Sequence, residues 1–180
     1  DYLQPRLFDP LGIEKPTWEE KDGYNIARGG LNLKTEDVAK FGLFLIHKGQ
    51  YNGKQLLNPN LVEEMTTYKI HTVDEPIPKR PNYNLGYGYF CWMCKPENSY
   101  RGDGSCGQYL FVMPKQDIIV VITAGTLTEA ETMMKALFDN LVDTLDNSSV
   151  LNNKEKVEKY QKLLEEKLNT LSIPFVQSSF

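Results

Sequence analysis

Histidine and cysteine are scarce, with two and three residues in a chain of 180. Three cysteines are an odd number, which excludes a fully paired disulfide framework and suits free thiols in a reducing compartment. On that ground the expected location is cytoplasmic. The same scarcity argues against a metal centre. On a strand, Cys91 and Cys94 point to opposite faces. A structural zinc site wants four ligands, and only Cys106, His47 and His71 remain to complete one. No cofactor is expected. Basic residues number 20 against 24 acidic, so the net charge of −4 leaves no nucleic-acid footprint. No apolar run approaches the roughly 20 residues of a membrane helix. An initiator methionine is missing too. The chain opens Asp1-Tyr2-Leu3-Gln4-Pro5, and an amino-terminal part, with any leader it carries, is expected to precede it.

What is present reads as an ordinary globular protein, 41% hydrophobic and 11% aromatic, without internal repeats or low-complexity segments. The end of a helix is expected to run into Phe8-Asp9-Pro10-Leu11-Gly12-Ile13, an ordered turn around buried Phe8, Leu11 and Ile13. Thr17 to Tyr24 reads as polar loop. Thr35 is the expected N-cap of a helix with Glu36 and Asp37 in its first turn. Val38, Phe41, Gly42 and Leu45 form its apolar face, and Lys48-Gly49 its stop. Gly53 to Leu57 reads as a connector. Asn58 caps a second helix with Pro59 at its first position, running to about Tyr68. His71 to Asn84, with three prolines, reads as a long irregular loop, a kind that is uncommon in compact domains unless it lines a site.

Gly86 to Gly125 reads as three antiparallel strands: Tyr87–Cys94, Gln108–Met113 and Ile118–Thr123, with turns at Lys95–Asn98 and Pro114–Asp117. Apolar residues of both parities in 118–122 predict a strand covered on both faces. Gly102, Gly104 and Gly107 fall where the middle strand is expected to begin. They mark either a close approach by a ligand or a bulge that bends the strand. A third helix, capped by Thr128 with Glu131 and carrying Met133, Met134, Leu137, Leu141 and Leu145, is expected to lie on the sheet. Lys154 to Leu171 reads as an amphipathic tail helix with Glu155/Lys159 and Glu158/Lys162 pairs, docked on its own domain. The expected fold is α+β, an antiparallel sheet with packed helices. Residues 1–146 form the main domain, and 147–180 a linker and tail helix.

The order of parts is more specific than any one of them. Phe8-Asp9-Pro10-Leu11-Gly12-Ile13, then Ala27-Arg28-Gly29-Gly30-Leu31 leading to Thr35–Phe41, then Leu56-Leu57-Asn58-Pro59 with Val62-Glu63-Glu64-Met65, resembles the middle of the penicillin-recognising serine hydrolases. Tyr87-Gly88-Tyr89 and Gly104-Ser105-Cys106-Gly107-Gln108-Tyr109 followed by Val112-Met113-Pro114 resemble that family's third active-site motif and its next strand. The superfamily includes class C β-lactamases, DD-peptidases, esterases and nylon-oligomer hydrolases, and the resemblance spans about residues 2 to 145. It implies a partial β-lactamase-like fold and attack on a small-molecule or peptide-like acyl substrate through an acyl-enzyme. The nucleophile is the serine of a Ser-x-x-Lys motif, supported by a Tyr-x-Asn motif and a Lys-Thr-Gly-type strand.

The departure from that pattern is plain in the residues. None of Ser99, Ser105, Ser148, Ser149, Ser172, Ser178 and Ser179 has lysine three positions on. The resemblance places the nucleophile and the Tyr-x-Asn motif before Asp1, so the chain is expected to be the carboxy-terminal portion of such an enzyme, inactive alone. Gly102-Asp103-Gly104 stands where relatives carry Lys-Thr-Gly or His-x-Gly, and the Ser105 N–H is the implied oxyanion donor. Absence of the basic first residue counts against carboxylate recognition, and Arg101 sits on the opposite strand face from Gly102. Gly107 belongs to the same motif. Lesser candidates carry two readings each. Arg28 faces the cleft or makes a surface ion pair; Gln108 touches substrate or satisfies backbone groups. Asp103 orients a water or a substrate amine, or caps the turn. Tyr87 and Tyr89 read as core aromatics. The rival to the hydrolase is a non-catalytic binding or scaffold module that keeps the fold.

Overall fold

The structure is a computed structural model and describes residues 2–74, 76, 80–126, 130–142, 158 and 162. The chain divides into two compact units, 1–137 and 138–180.

In the first unit, a single wide helical turn at Gln4–Phe8 leads into the Pro10-Leu11-Gly12 bend. Phe8, Leu11 and Ile13 are buried there as expected, in one cluster with Phe44. Residues 17–25 are not loop. They form β1 (Thr17–Trp18), β2 (Glu20–Lys21) and β3 (Tyr24–Asn25), and β1 pairs with β4 (Leu31–Asn32). Two-residue strands carry too little alternation to show in a sequence. Helix α1 covers Thr35–Ile46. Lys34, not Thr35, holds its cap position, with extended backbone and no side-chain cap bond. The Thr35 hydroxyl instead meets that of Thr123 at 3.1 Å. The stop falls where expected: Lys48 and Gly49 have φ of 51° and 83°, and the Gly49 N–H returns to Phe44 O at 2.8 Å. Lys40 ties α1 to the first bend, donating to Gly12 O at 2.6 Å and to buried Asp37 at 2.7 Å.

The expected connector is a hairpin, β5 (Gln50–Tyr51) and β6 (Lys54–Gln55), turned by Asn52-Gly53 with both φ positive. Helix α2 spans Pro59–Met65, and the Asn58 side chain accepts from the Asn60 N–H at 2.9 Å. It ends three residues before Tyr68.

One four-stranded antiparallel sheet dominates the unit: β7 (Trp92–Met93), β8 (Tyr100–Gly104), β9 (Gln108–Met113) and β10 (Ile118–Ile122), in the order β10-β9-β8-β7. The first expected strand shrinks to β7, because Phe90 takes φ of 60° and is 90% exposed, breaking 87–94 into a bent segment. Tyr87 joins it only through isolated bridges to Ile70 and Trp92. Tyr89 is exposed, its hydroxyl on Glu64, and is no core aromatic. A strand that the sequence reading missed, β8, holds Gly102 and Gly104.

Leu110 and Val112 of β9, Tyr100 of β8, and Ile119 and Val121 of β10 pack with Val38, Phe41, Leu45 and Ile46 of α1. A Cβ on Gly42 would stand 2.8 Å from Leu110 and 3.2 Å from Ile119, so that glycine lets α1 sit close to the sheet. All five residues of β10 are half-buried. Helix α3 (Ala130–Leu137) follows. Thr128, its expected cap, lies outside the described residues, and Glu131 receives Asn82 Nδ2 at 2.7 Å.

In the second unit, Phe138–Val142 forms one wide helical turn, and Glu158 and Lys162 are helical and exposed. The rest of the expected tail helix lies outside the described residues. No described helix is long and apolar enough to cross a membrane.

Candidate functional site

β8 and β9 are joined by the three residues Ser105-Cys106-Gly107, with Cys106 and Gly107 at φ of 65° and 85°. The ladder runs unbroken from Tyr100↔Val112 to Gly104↔Gln108, so Gly102 and Gly104 do not form a bulge. Each has its own reason. A Cβ on Gly104 would meet Gln108 Cβ at 2.9 Å, and one on Gly107 would meet Met133 Cε at 3.0 Å. A Cβ on Gly102 would find only Leu110 at 3.9 Å, an ordinary contact, so packing does not demand glycine there. The hairpin end is pinned from the segment after β10: Thr126 N–H donates to Cys106 O at 3.0 Å, and Gln108 Nε2 donates to Ala124 O. Gln108 therefore satisfies a backbone group.

The outer edge of β8 is open beyond Arg101. β7 pairs only with Tyr100 and Arg101. Cys94 N–H donates to Ser99 O at 2.9 Å, whereas Met93 N–H turns away to Gly86 O. Antiparallel pairs exchange bonds at alternate residues, so Ser99, Arg101 and then Asp103 direct their backbone N–H and C=O outward. At Asp103 no strand lies opposite among the described residues. Ser105 is one residue beyond the β8–β9 ladder. A cavity of ≈ 260 Å³ opens here, lined by Asp103–Gly107 with Tyr83, Trp92, Tyr109 and Thr126.

Behind it stands a group that the sequence reading set aside. Arg101 faces away from α1, paired across the ladder with Phe111, and is 0% exposed. Its Nε donates to Asp103 Oδ2 at 3.1 Å, and Nη1 donates to Asn82 O at 3.1 Å and Met93 O at 3.2 Å. Its guanidinium carbon lies 4.8 Å from the Tyr83 ring centre and 5.6 Å from that of Trp92. Nη2 is buried without a hydrogen-bond partner among the described residues. Arg101 and Asp103 are two apart on one strand and so share a face. That spacing was the available signal for their pairing. Burial first, and then the neighbouring Asp103 carboxylate, push the Tyr83 phenol well above its usual range. Burial raises Tyr109 as well, so both phenols stay protonated.

The structure brings Gly102, Asp103, Gly104, Ser105, Gly107 and Gln108 to one hairpin. Arg28 is exposed in the turn before β4 and does not line the cavity. The cysteine pair is split: buried Cys91 Sγ donates to Met65 O at 3.1 Å, while Cys94 lies 3.8 Å from Arg101 Nη1. Burial pushes both thiols up to about 11. No group of three or more metal-ligating side chains occurs among the described residues. A larger cavity, ≈ 610 Å³, lies between the ends of α1 and α2 and the β7–β8 turn. Its Lys48 and Glu63 pair with each other at 3.1 Å, and the open strand edge is elsewhere, so the smaller cavity is the stronger site.

No protein-family model and no curated protein matches the sequence. Solved structures do match. A protein described as a candidate 6-aminohexanoate-dimer hydrolase from Bacillus anthracis superposes with a TM-score of 0.62 at 23% identity, over 81% of this chain and 37% of that one. A penicillin-binding protein homologue from Pyrococcus abyssi gives 0.57 at 19%, over 81% and 38%. A β-lactamase from Mycobacterium bovis gives 0.53 at 16%, over 77% and 54%. The chain carries part of the fold of the penicillin-recognising serine hydrolases. It spans between about a third and just over half the length of these β-lactamase-like proteins. Within this fold, the cavity offers a strand edge and an acidic, aromatic wall. Among the described residues lining it there is no lysine or histidine to activate a hydroxyl.

Proposed function

We propose that this chain supplies the substrate-strand portion of a β-lactamase-like serine hydrolase and is catalytically inactive alone. The observation that carries the reading is the unpaired outer edge of β8 beside the ≈ 260 Å³ cavity. There the Asp103 backbone would pair with the amide or ester of an extended guest, and the Ser105 N–H, one alternation further, would donate to the oxyanion of the tetrahedral intermediate. The nucleophilic serine, its lysine and the Tyr-x-Asn motif belong to a preceding segment of the same protein, which is the partner this half requires. The substrate is a small-molecule or peptide-like acyl compound.

Two measurements test this. The purified chain should neither hydrolyse p-nitrophenyl esters or nitrocefin nor take up a fluorophosphonate label; labelled turnover by the chain alone would overturn its proposed inactivity. In the longer protein, Ser105→Pro removes the N–H and should lower kcat by about 10²–10³. An unchanged kcat there removes Ser105 from the oxyanion site. The absence of any Ser-x-x-Lys in this chain also supports a second reading, a binding or scaffold module. An upstream reading frame without that motif would favour it.

A further inference from the structure

We propose that the Asp103 cavity selects an uncharged acyl substrate through an N–H donor, as in a primary or secondary amide, and rejects carboxylates. The proposal rests on the hydrolase reading for the word substrate; the binding preference stands apart from turnover. Among the described residues lining the cavity, Asp103 is the one charged side chain. The nearest cation, Arg101, does not line it, is 0% exposed and is already engaged by Asp103 and two carbonyls. A guest carboxylate would lie against a like charge, with no cation among the described residues lining the cavity to meet it; Arg80 stands outside, over the ring of Tyr83.

An amide finds the opposite situation. An ionised carboxylate accepts about four hydrogen bonds, and Asp103 spends one on Arg101 Nε, with the Tyr83 phenol nearby. The Asp103 side chain remains 11% exposed, and its backbone carbonyl also faces the open edge. The Tyr83 phenol, raised by burial, is neutral at pH 7 and adds no positive charge to the wall. Trp92 and Tyr109 supply an apolar wall for a short acyl chain. At about 30 Å³ per water in the liquid, ≈ 260 Å³ matches a guest of roughly eight heavy atoms.

The test uses the whole chain with two probes of one skeleton, hexanamide and hexanoate, at pH 7. Amide resonances of Asp103–Gly107 are followed by NMR. Hexanamide should shift them at a concentration at least tenfold below that needed for hexanoate. Exposed Cys106 lines the same cavity, so hexanamide should slow its alkylation by iodoacetamide with the same tenfold preference. Asp103→Asn should narrow the preference to within about threefold. If that variant does not fold, the Cys106 protection ratio in the unaltered chain decides alone. Equal binding of the two probes overturns the proposal, and so does failure of either to shift these resonances or protect Cys106. No turnover is read, so a missing upstream nucleophile would sink the hydrolase reading while leaving an amide preference intact.

Discussion

Asp103→Ala is the substitution that most directly tests the polar wall of the site. It leaves the Arg101 guanidinium, 0% exposed, facing an empty acceptor position. Removing one partner of a buried ion pair costs about 3–5 kcal/mol. The lower end applies here, because the carbonyls of Asn82 and Met93 still receive Nη1. Arg101→Met should cost a similar amount, about 3 kcal/mol, because it removes the bond to Asp103 and both Nη1 bonds to the Asn82 and Met93 carbonyls. The stranded Asp103 carboxylate borders the cavity and can rehydrate. The double variant should be no worse than Asp103→Ala alone, since an apolar replacement strands no charge. Urea unfolding followed by circular dichroism reads all three. With a slope of about 2 kcal/mol per M, 3 kcal/mol moves the midpoint by about 1.5 M. A cost below about 1 kcal/mol for Asp103→Ala, the value of an exposed pair, would refute the reasoning.

The two motif glycines should part company in thermal melts. Gly107→Ala, at φ of 85° with Met133 Cε 3.0 Å from the new methyl, should lose about 1–2 kcal/mol, whereas Gly102→Ala should gain about 0.5 kcal/mol by stiffening the unfolded chain. Equal losses would mean that the hairpin end does not hold this conformation. The phenols of Tyr83 and Tyr100 are pushed above the ordinary value of 10.0, by burial first. Their contribution to stability is complete below pH 10 and declines as pH rises through the folded-state range, because the unfolded chain then releases protons that the folded one keeps. Phenolate absorbance at 295 nm should therefore rise in two stages, the second coinciding with alkaline unfolding; a single stage near pH 10 counts against buried phenols.

Strong local signals were legible. Asn58-Pro59 announced α2, Lys48-Gly49 ended α1, and the apolar runs of β9 and β10 fell at their observed positions. Asn52-Gly53, at the entry to the expected connector Gly53 to Leu57, is an equally good hairpin signal. β8 was invisible for a physical reason: Tyr100-Arg101-Gly102-Asp103-Gly104 mixes two glycines with two charges and satisfies no strand pattern. The charges are buried because they neutralise each other across two residues, with Tyr83 and Trp92 closing around them. Pairing of that kind is set by tertiary contact, which composition does not report. The missing β8 also blurred the motif itself, since the glycines were assigned to the start of the following strand. In the segment 87–94, aromatic content suggested a strand, but Phe90 points to solvent with φ of 60°, a conformation that no residue-type rule anticipates for phenylalanine.

The bare margin of β8 is also a ruler. From Gly102 to Gly104 it measures about 10 Å at 3.3 Å per residue, room for a single peptide-sized unit. A second copy of the chain adding strand to strand needs a longer run to hold its register, so this margin is a poor template for self-association, and its length suits the single amide or ester bond of the guest proposed for it.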